Sequence, residues 1–106
     1  MPTTTFNGSE GSYITLTAGT TLTTAFRTAF STQPQGFFFG SDKLNQVLGQ
    51  RDCVGIRAYF GTDANGKLTL VLAGAKANTD DMLSSYILDG GIACPSTCGA
   101  SNGLNS

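Results

Sequence analysis

Histidine is absent from this 106-residue chain, and with it the side chain that most often moves protons near neutral pH. No Ser-His or Cys-His pair and no His-bearing metal set can be drawn. Charge is scarce as well. Only 12% of residues are charged, against about 25% in ordinary globular chains. The net charge of −1 removes an electrostatic case for nucleic acid or an anionic membrane. Apart from Glu10, no charged side chain precedes Arg27, and none follows Asp89. Three cysteines cannot form a complete internal disulfide framework. No apolar run approaches the ~20 residues that span a bilayer. The opening Met-Pro-Thr-Thr-Thr-Phe has neither the basic start nor the apolar stretch of a signal peptide. The default expectation is therefore a cytoplasmic location, with an extracellular assembly as the alternative. A phosphate-cradling glycine loop, a nucleophile elbow and an internal repeat are also missing.

What is present is a core-forming composition with a neutral polar exterior. Hydrophobic residues make up 40% of the chain and include seven Phe. One domain with a real core is expected, without need of metal or disulfides. Fifteen Thr take the place that charged residues usually hold, ten of them before residue 29. Such neutral ends can pack against other subunits at little desolvation cost, or can simply form an uncharged surface.

The stretch from Cys53 to Ala75 organises the rest. Val54, Ile56, Ala58 and Phe60 alternate with Cys53, Gly55, Arg57 and Tyr59, and Leu68, Leu70 and Leu72 alternate with Thr69, Val71 and Ala73. Strand side chains point to opposite faces with period two, so both runs read as strands of a hairpin, about 54–60 and 67–75. Phe60 is expected opposite Leu68, Ala58 opposite Leu70 and Ile56 opposite Leu72. The loop then covers 62–66, with Asp63 opening a type I turn and Gly66 at positive φ. The other face, with Arg57, Tyr59, Thr69 and Val71, is mixed.

Around the hairpin, residues 1–12 read as an extended arm, 13–93 as the globular domain and 94–106 as a tail. Thr17 is the expected N-cap of a helix over 18–31, whose apolar stripe is Leu22, Ala25, Phe26, Ala29 and Phe30. Pro34 and Gly36 stop it. Of Phe37, Phe38 and Phe39, two are expected in the core and one at a loop or interface. Ser41 caps a short helix over 42–48, with Leu44, Val47 and Leu48 inward and Gly49 at its end. Residues 82–88 fit either a helical stripe or a strand, and a short helix is favoured. The fold class is α+β, with a further strand near Phe37 or Ile92 extending the hairpin.

Candidate chemistry is thin. Cys94-Pro-Ser-Thr-Cys98 fits a local disulfide, a pair of plain thiols or, with Cys53 and a fourth ligand from elsewhere, a zinc site. Asp63-Ala-Asn-Gly resembles the opening of a calcium loop, but Leu68 stands where that loop requires Gly. Asp80 and Asp81 diverge in direction, so a solvated loop or cap suits them better than an acid/base pair. Arg57 is suited to an anion or to a structural pair with an Asp.

Phe38-Phe39-Gly40, Gln50-Arg-Asp-Cys-Val-Gly-Ile-Arg57 with Tyr59, the Leu70–Leu72 strand and the terminal Cys-Pro-x-x-Cys together resemble a family of short, uncharacterised bacterial proteins. The likeness covers roughly residues 13–98. It implies a fold and an extent; it implies no activity or cofactor. Thr replaces the Glu, Lys and Gln expected in the first helix, which fits a surface buried in an assembly. The expectation is a non-enzymatic structural or interaction subunit without cofactor, self-associating as a homo-oligomer. Its contact residues would be Thr3, Thr4, Thr5, Phe6, Phe37, Arg57 and Tyr59. The alternatives are a monomeric ligand-binding module built on Arg57, Tyr59 and Phe37–Phe39, and a thiol or zinc protein built on Cys53, Cys94 and Cys98.

Overall fold

A computed structural model describes residues 4–106. The element order is α1 (Leu16–Ala29), β1 (Gly36–Phe38), α2 (Ser41–Leu48), β2 (Cys53–Thr62), β3 (Leu68–Lys76) and β4 (Ile92–Cys94). This is an α+β arrangement around an antiparallel hairpin, β2–β3. The hairpin turn follows its sequence signature. Asp63 Oδ1 accepts from the N–H groups of Asn65 and Lys67 at 2.8 and 3.0 Å, and Gly66 sits at φ 74°.

The register is two residues away from expectation. Phe60 pairs with Leu70, Ala58 with Leu72 and Ile56 with Gly74, and Thr62 closes the loop opposite Leu68. The Asp63 carboxylate reaches as far as Lys67, so the second strand begins at Leu68. A slip of two keeps the side chains from Gly55 to Phe60 on their expected faces, but an irregularity between Cys53 and Gly55 turns Cys53 to the face opposite the expected one, beside Gly74. The slip also brings Gly74 under a crowded spot. A Cβ there would lie 2.9 Å from Gln50 Nε2 and 3.0 Å from Cys53 Sγ.

β3 is the interior strand. β2 lines one edge, and residues 80–88 partly line the other. Met82 N–H donates to Gly74 O at 2.8 Å, and Leu72 and Leu88 exchange bonds of 2.7 and 2.8 Å. The expected helix over 82–88 does not form; the segment runs extended enough to bridge β3 at Asp81 and Leu88. Open carbonyl and amide groups on β3 outweigh the weak helical stripe of so short a segment. The core gathers here, with Leu72, Ala73 and Ala75 buried on β3 and Val47 of α2 beside them. Leu44 is half-buried, and Leu48 points outward instead of in.

β1 and β4 pair with each other, Phe37 opposite Ala93, in a separate two-stranded sheet. They do not extend the hairpin. Phe37 and Phe39 are half-buried and Phe38 is exposed. Gly91 admits the Phe39 ring, since a Cβ at Gly91 would lie 2.7 Å from Phe39 Cζ.

Both helices start earlier than expected. Thr15, not Thr17, caps α1, its hydroxyl accepting from Ala18 N–H at 3.1 Å. Gly40 caps α2 without a side-chain bond, and Ser41 is already helical. The larger departure is in packing. The expected α1 stripe remains outside: Leu22, Ala25, Ala29 and Phe30 are exposed. The half-buried face is Thr20, Thr23, Phe26 and Arg27, beside a buried Gly19. Its Gly19, Thr20 and Arg27 side lies against the C-terminal tail, where Leu104 Cδ2 would be 3.2 Å from a Cβ on Gly19 and Arg27 donates to the carbonyls of Gly103 and Leu104, while Thr23 and Phe26 turn toward the hairpin.

The result is an open molecule. Its accessible surface is 7605 Å² for 11.0 kDa, where a globular monomer of that mass shows about 5,600 Å². Its radius of gyration is 15.5 Å, against about 13 Å for a compact chain of this length.

Candidate functional site

The polar cluster on the mixed face of the hairpin is built by short side chains. Arg57 and Tyr59 on β2 stand opposite Ala73 and Val71 on β3, and Asp81 bridges Ala75 on the far edge. Arg57 must cross about 9–10 Å, two strand spacings, to reach it. The alanines leave that path clear. Arg57 Nη1 donates to Asp81 Oδ1 and, at 3.0 Å, to Thr79 O, and Tyr59 donates its hydroxyl to Asp81 Oδ2. Phe6 covers the cluster with its ring centroid 5.3 Å from Arg57 Cζ, while its N–H donates to Ala77 O at 2.7 Å.

The protonation states follow from these contacts. The Tyr59 hydroxyl, then the Arg57 guanidinium, hold the Asp81 carboxyl below its ordinary value. The bond to Asp81, reinforced by desolvation, pushes the Tyr59 phenol up. Arg57 is raised by the same carboxylate. Each group is moved away from neutrality, so none is poised as a general acid or base at pH 7. The arrangement ties the 79–81 loop to β2 across β3. Asp80 turns away and accepts from Asn78 Nδ2 at 3.2 Å.

The three cysteines are not brought together. Cys94 and Cys98 are joined by a disulfide, and Cys53 is a free thiol on β2 that donates to Gly55 O at 3.2 Å. Among the described residues, no group of three His, Cys, Asp or Glu side chains is placed to hold a metal.

Of the sequence-selected contact residues, Thr3 lies outside the described residues. Thr4 and Thr5 are exposed, and Phe6 is half-buried and used within its own chain. Arg57 and Phe37 line different cavities, and Tyr59 lines neither. Arg57 borders one of about 400 Å³ with Phe6 and Glu10. Phe37 borders one of about 260 Å³ between α1 and the apolar end of the hairpin.

That second cavity is the feature the sequence did not announce. Leu22 and Phe26 of α1 face Phe60, Leu68 and Leu70 of the hairpin across it, and no charged side chain lines it. The segment that follows α1 is tied to the tip of the hairpin. Gln33 donates to Gly66 O and accepts from Leu68 N–H at 3.3 and 2.7 Å, and Lys67 Nζ reaches Thr32 O at 2.8 Å. The α1 stripe itself was legible; that it would remain uncovered was not. Among the described residues, no helix is long and apolar enough to cross a membrane. Comparison with known protein families, curated proteins and solved structures gave no match.

Proposed function

We propose that this protein is a non-enzymatic structural subunit that works by associating with copies of itself. The observation that carries this reading is the surface. The chain exposes some 2,000 Å² more than a globular monomer of its mass, and a standard protein–protein contact takes about 800 Å² from each partner. Much of the excess is apolar: Tyr13, Ile14, Leu16, Phe38, Phe60 and Leu83 are all largely exposed. With a net charge of −1, copies repel one another little. The locked Asp81–Arg57–Tyr59 cluster supports a structural role for the only ion pair among the described residues. A ligand-binding role has less behind it, because Arg57, Tyr59 and Phe37 do not share a cavity. Of the arm residues expected at the contact, Phe6 is engaged at home, which moves the weight to α1 and the sheet faces.

Light scattering coupled to size exclusion, with sedimentation equilibrium from micromolar to near-millimolar protein, tests the reading. A mass that rises with concentration is expected. A single 11.0 kDa species throughout would overturn it.

A further inference from the structure

We infer that the outer edge of β2, from Ile56 to Thr62, pairs antiparallel with the same edge of a second copy, about a two-fold axis at Tyr59. This deepens the self-association reading and rests on it. The direction of each backbone group on that edge follows from bonds on either side of the hairpin. Asp63 N–H donates to Lys67 O at 2.9 Å, and Leu72 exchanges its bonds with Leu88 on the far side of β3. In an antiparallel pair, residues that bond across alternate with residues that point away. Arg57, Tyr59 and Gly61 therefore bond to β3, and Ile56, Ala58, Phe60 and Thr62 turn their N–H and C=O groups outward. No backbone group elsewhere in the described residues bonds to them.

The two edges of the hairpin differ. The outward groups of β3 meet an extended segment, with Met82 N–H on Gly74 O and Lys76 N–H on Asp80 O at 2.8 and 2.9 Å. The outward groups of β2 meet none. Bare edges are normally blunted by Lys, Pro or an inward-pointing charge. From Ile56 to Thr62 there is no Lys or Pro, and the one charge, Arg57, is drawn across β3 to Asp81. Ala58, Phe60 and Thr62 are exposed. The open stretch has defined ends. The arm crosses at Val54, where a Cβ on Gly8 would lie 3.4 Å from Val54 O, and the strand stops at Thr62. Between the arm and β2 a cavity of about 400 Å³ leaves room beside Ile56 and Ala58.

A row of outward N–H and C=O groups takes an extended peptide, by the pairing that adds a strand to a sheet. Here that peptide is a second copy, because the row is its own complement. A two-fold axis at Tyr59 sets Ile56 opposite the partner's Thr62 and Ala58 opposite the partner's Phe60, so every outward N–H meets an outward C=O. This is the register that uses the whole open stretch. It sets Arg57 opposite the partner's Gly61, whereas an axis at Arg57 would bring two like charges face to face. The partner's strand ends opposite Ile56, before the point at which the arm crosses.

Amide exchange of the wild-type chain, read by NMR in dilute and concentrated solution, tests the pairing without any substitution. The amides of Ile56, Ala58, Phe60 and Thr62 are expected to slow about tenfold or more with concentration, while those of Arg57, Tyr59 and Gly61 are protected throughout. In a mixture of isotope-labelled and unlabelled chains, the α-hydrogens of Arg57 and the partner's Gly61 are expected in contact. Ala58→Pro removes an outward N–H and no bond to β3. With its fold checked by circular dichroism, it is expected to weaken association about tenfold or more, and a control on the other sheet, Phe38→Ser, is not. If wild type is monomeric, the self-association reading fails and this inference with it. If wild type associates while the outward amides stay unprotected, or a folded Ala58→Pro keeps its mass, this inference alone fails. Outward amides that become protected by a segment other than β2 of the second copy would overturn it as well.

Discussion

Asp81 shows what a single residue does for this fold. Its carboxylate gathers Tyr59 and Arg57 from a strand that is not its neighbour, and both partners respond in their acidity. The native carboxyl sits below its ordinary value. Its contribution to stability is therefore present above about pH 4, the unfolded value, and is lost as pH falls through the lower native one. Tyr59 works in the opposite sense. Its phenol is raised, so its share is present below about pH 10 and is lost as pH rises through the native value. In a Tyr13→Phe, Tyr86→Phe background, ultraviolet titration should find Tyr59 ionising above about pH 10. Asp81→Asn should bring that midpoint back toward the free-tyrosine value and flatten the acid limb of the denaturation curve. An unchanged Tyr59 midpoint would mean that the carboxylate does not set it. Arg57 was legible as a charge in need of an Asp. Which Asp was not legible, because the answer depends on where residues 80–82 meet β3, and that pairing leaves no local mark in the sequence.

At the scale of elements, alternation gave the face of the hairpin side chains from Gly55 to Phe60 but not of Cys53, which lies below the strand irregularity, and the Asp63–Gly66 turn stood where its residues put it. The two-residue register shift escaped because both registers give the same faces, and only the reach of one carboxylate separates them. The segment 82–88 escaped for another reason: a stripe this short, even with Thr79 or Asp80 to cap it, is decided by what lies beside it, here the open edge of β3. The helix α1 was legible as a helix and misleading as a packed one. The tail residue Leu104 and Ile14 cover its Gly19 face, and a Cβ at Gly103 would collide with Thr20. Gly103→Val should therefore release the tail and speed amide exchange in α1 by an order of magnitude or so, with β3 unaffected. Equal exchange in both proteins would show that the tail does not hold the helix. The disulfide acts on a smaller loop. Closing so few residues is worth about 2 kcal/mol on the chain-entropy account. Cys94→Ser with Cys98→Ser should lower the urea midpoint by a corresponding amount, most visibly in probes on β1 and β4. No change in the midpoint would mean that the loop is equally ordered without its bridge.

The whole molecule poses the question that its parts leave open: what keeps so much apolar surface in water. A chain with four buried hydrophobic residues among those described, Val47, Leu72, Ala73 and Ala75, has a small core for its length. Small cores give small stabilities, and the missing burial must come from elsewhere if the fold is to persist. Association would supply it, since a partner that binds only the folded chain adds stability that grows with its concentration. The excess of some 2,000 Å² is more than two standard shares of about 800 Å². The thermal midpoint should accordingly rise with protein concentration. It should not fall when sodium chloride is raised, because a contact made without ion pairs has nothing for salt to screen. Sulfate should raise it further by favouring burial. A midpoint that is independent of concentration would show that the exposed apolar surface is stable alone, and a midpoint that drops in sodium chloride would show that charge, scarce as it is here, holds the copies together.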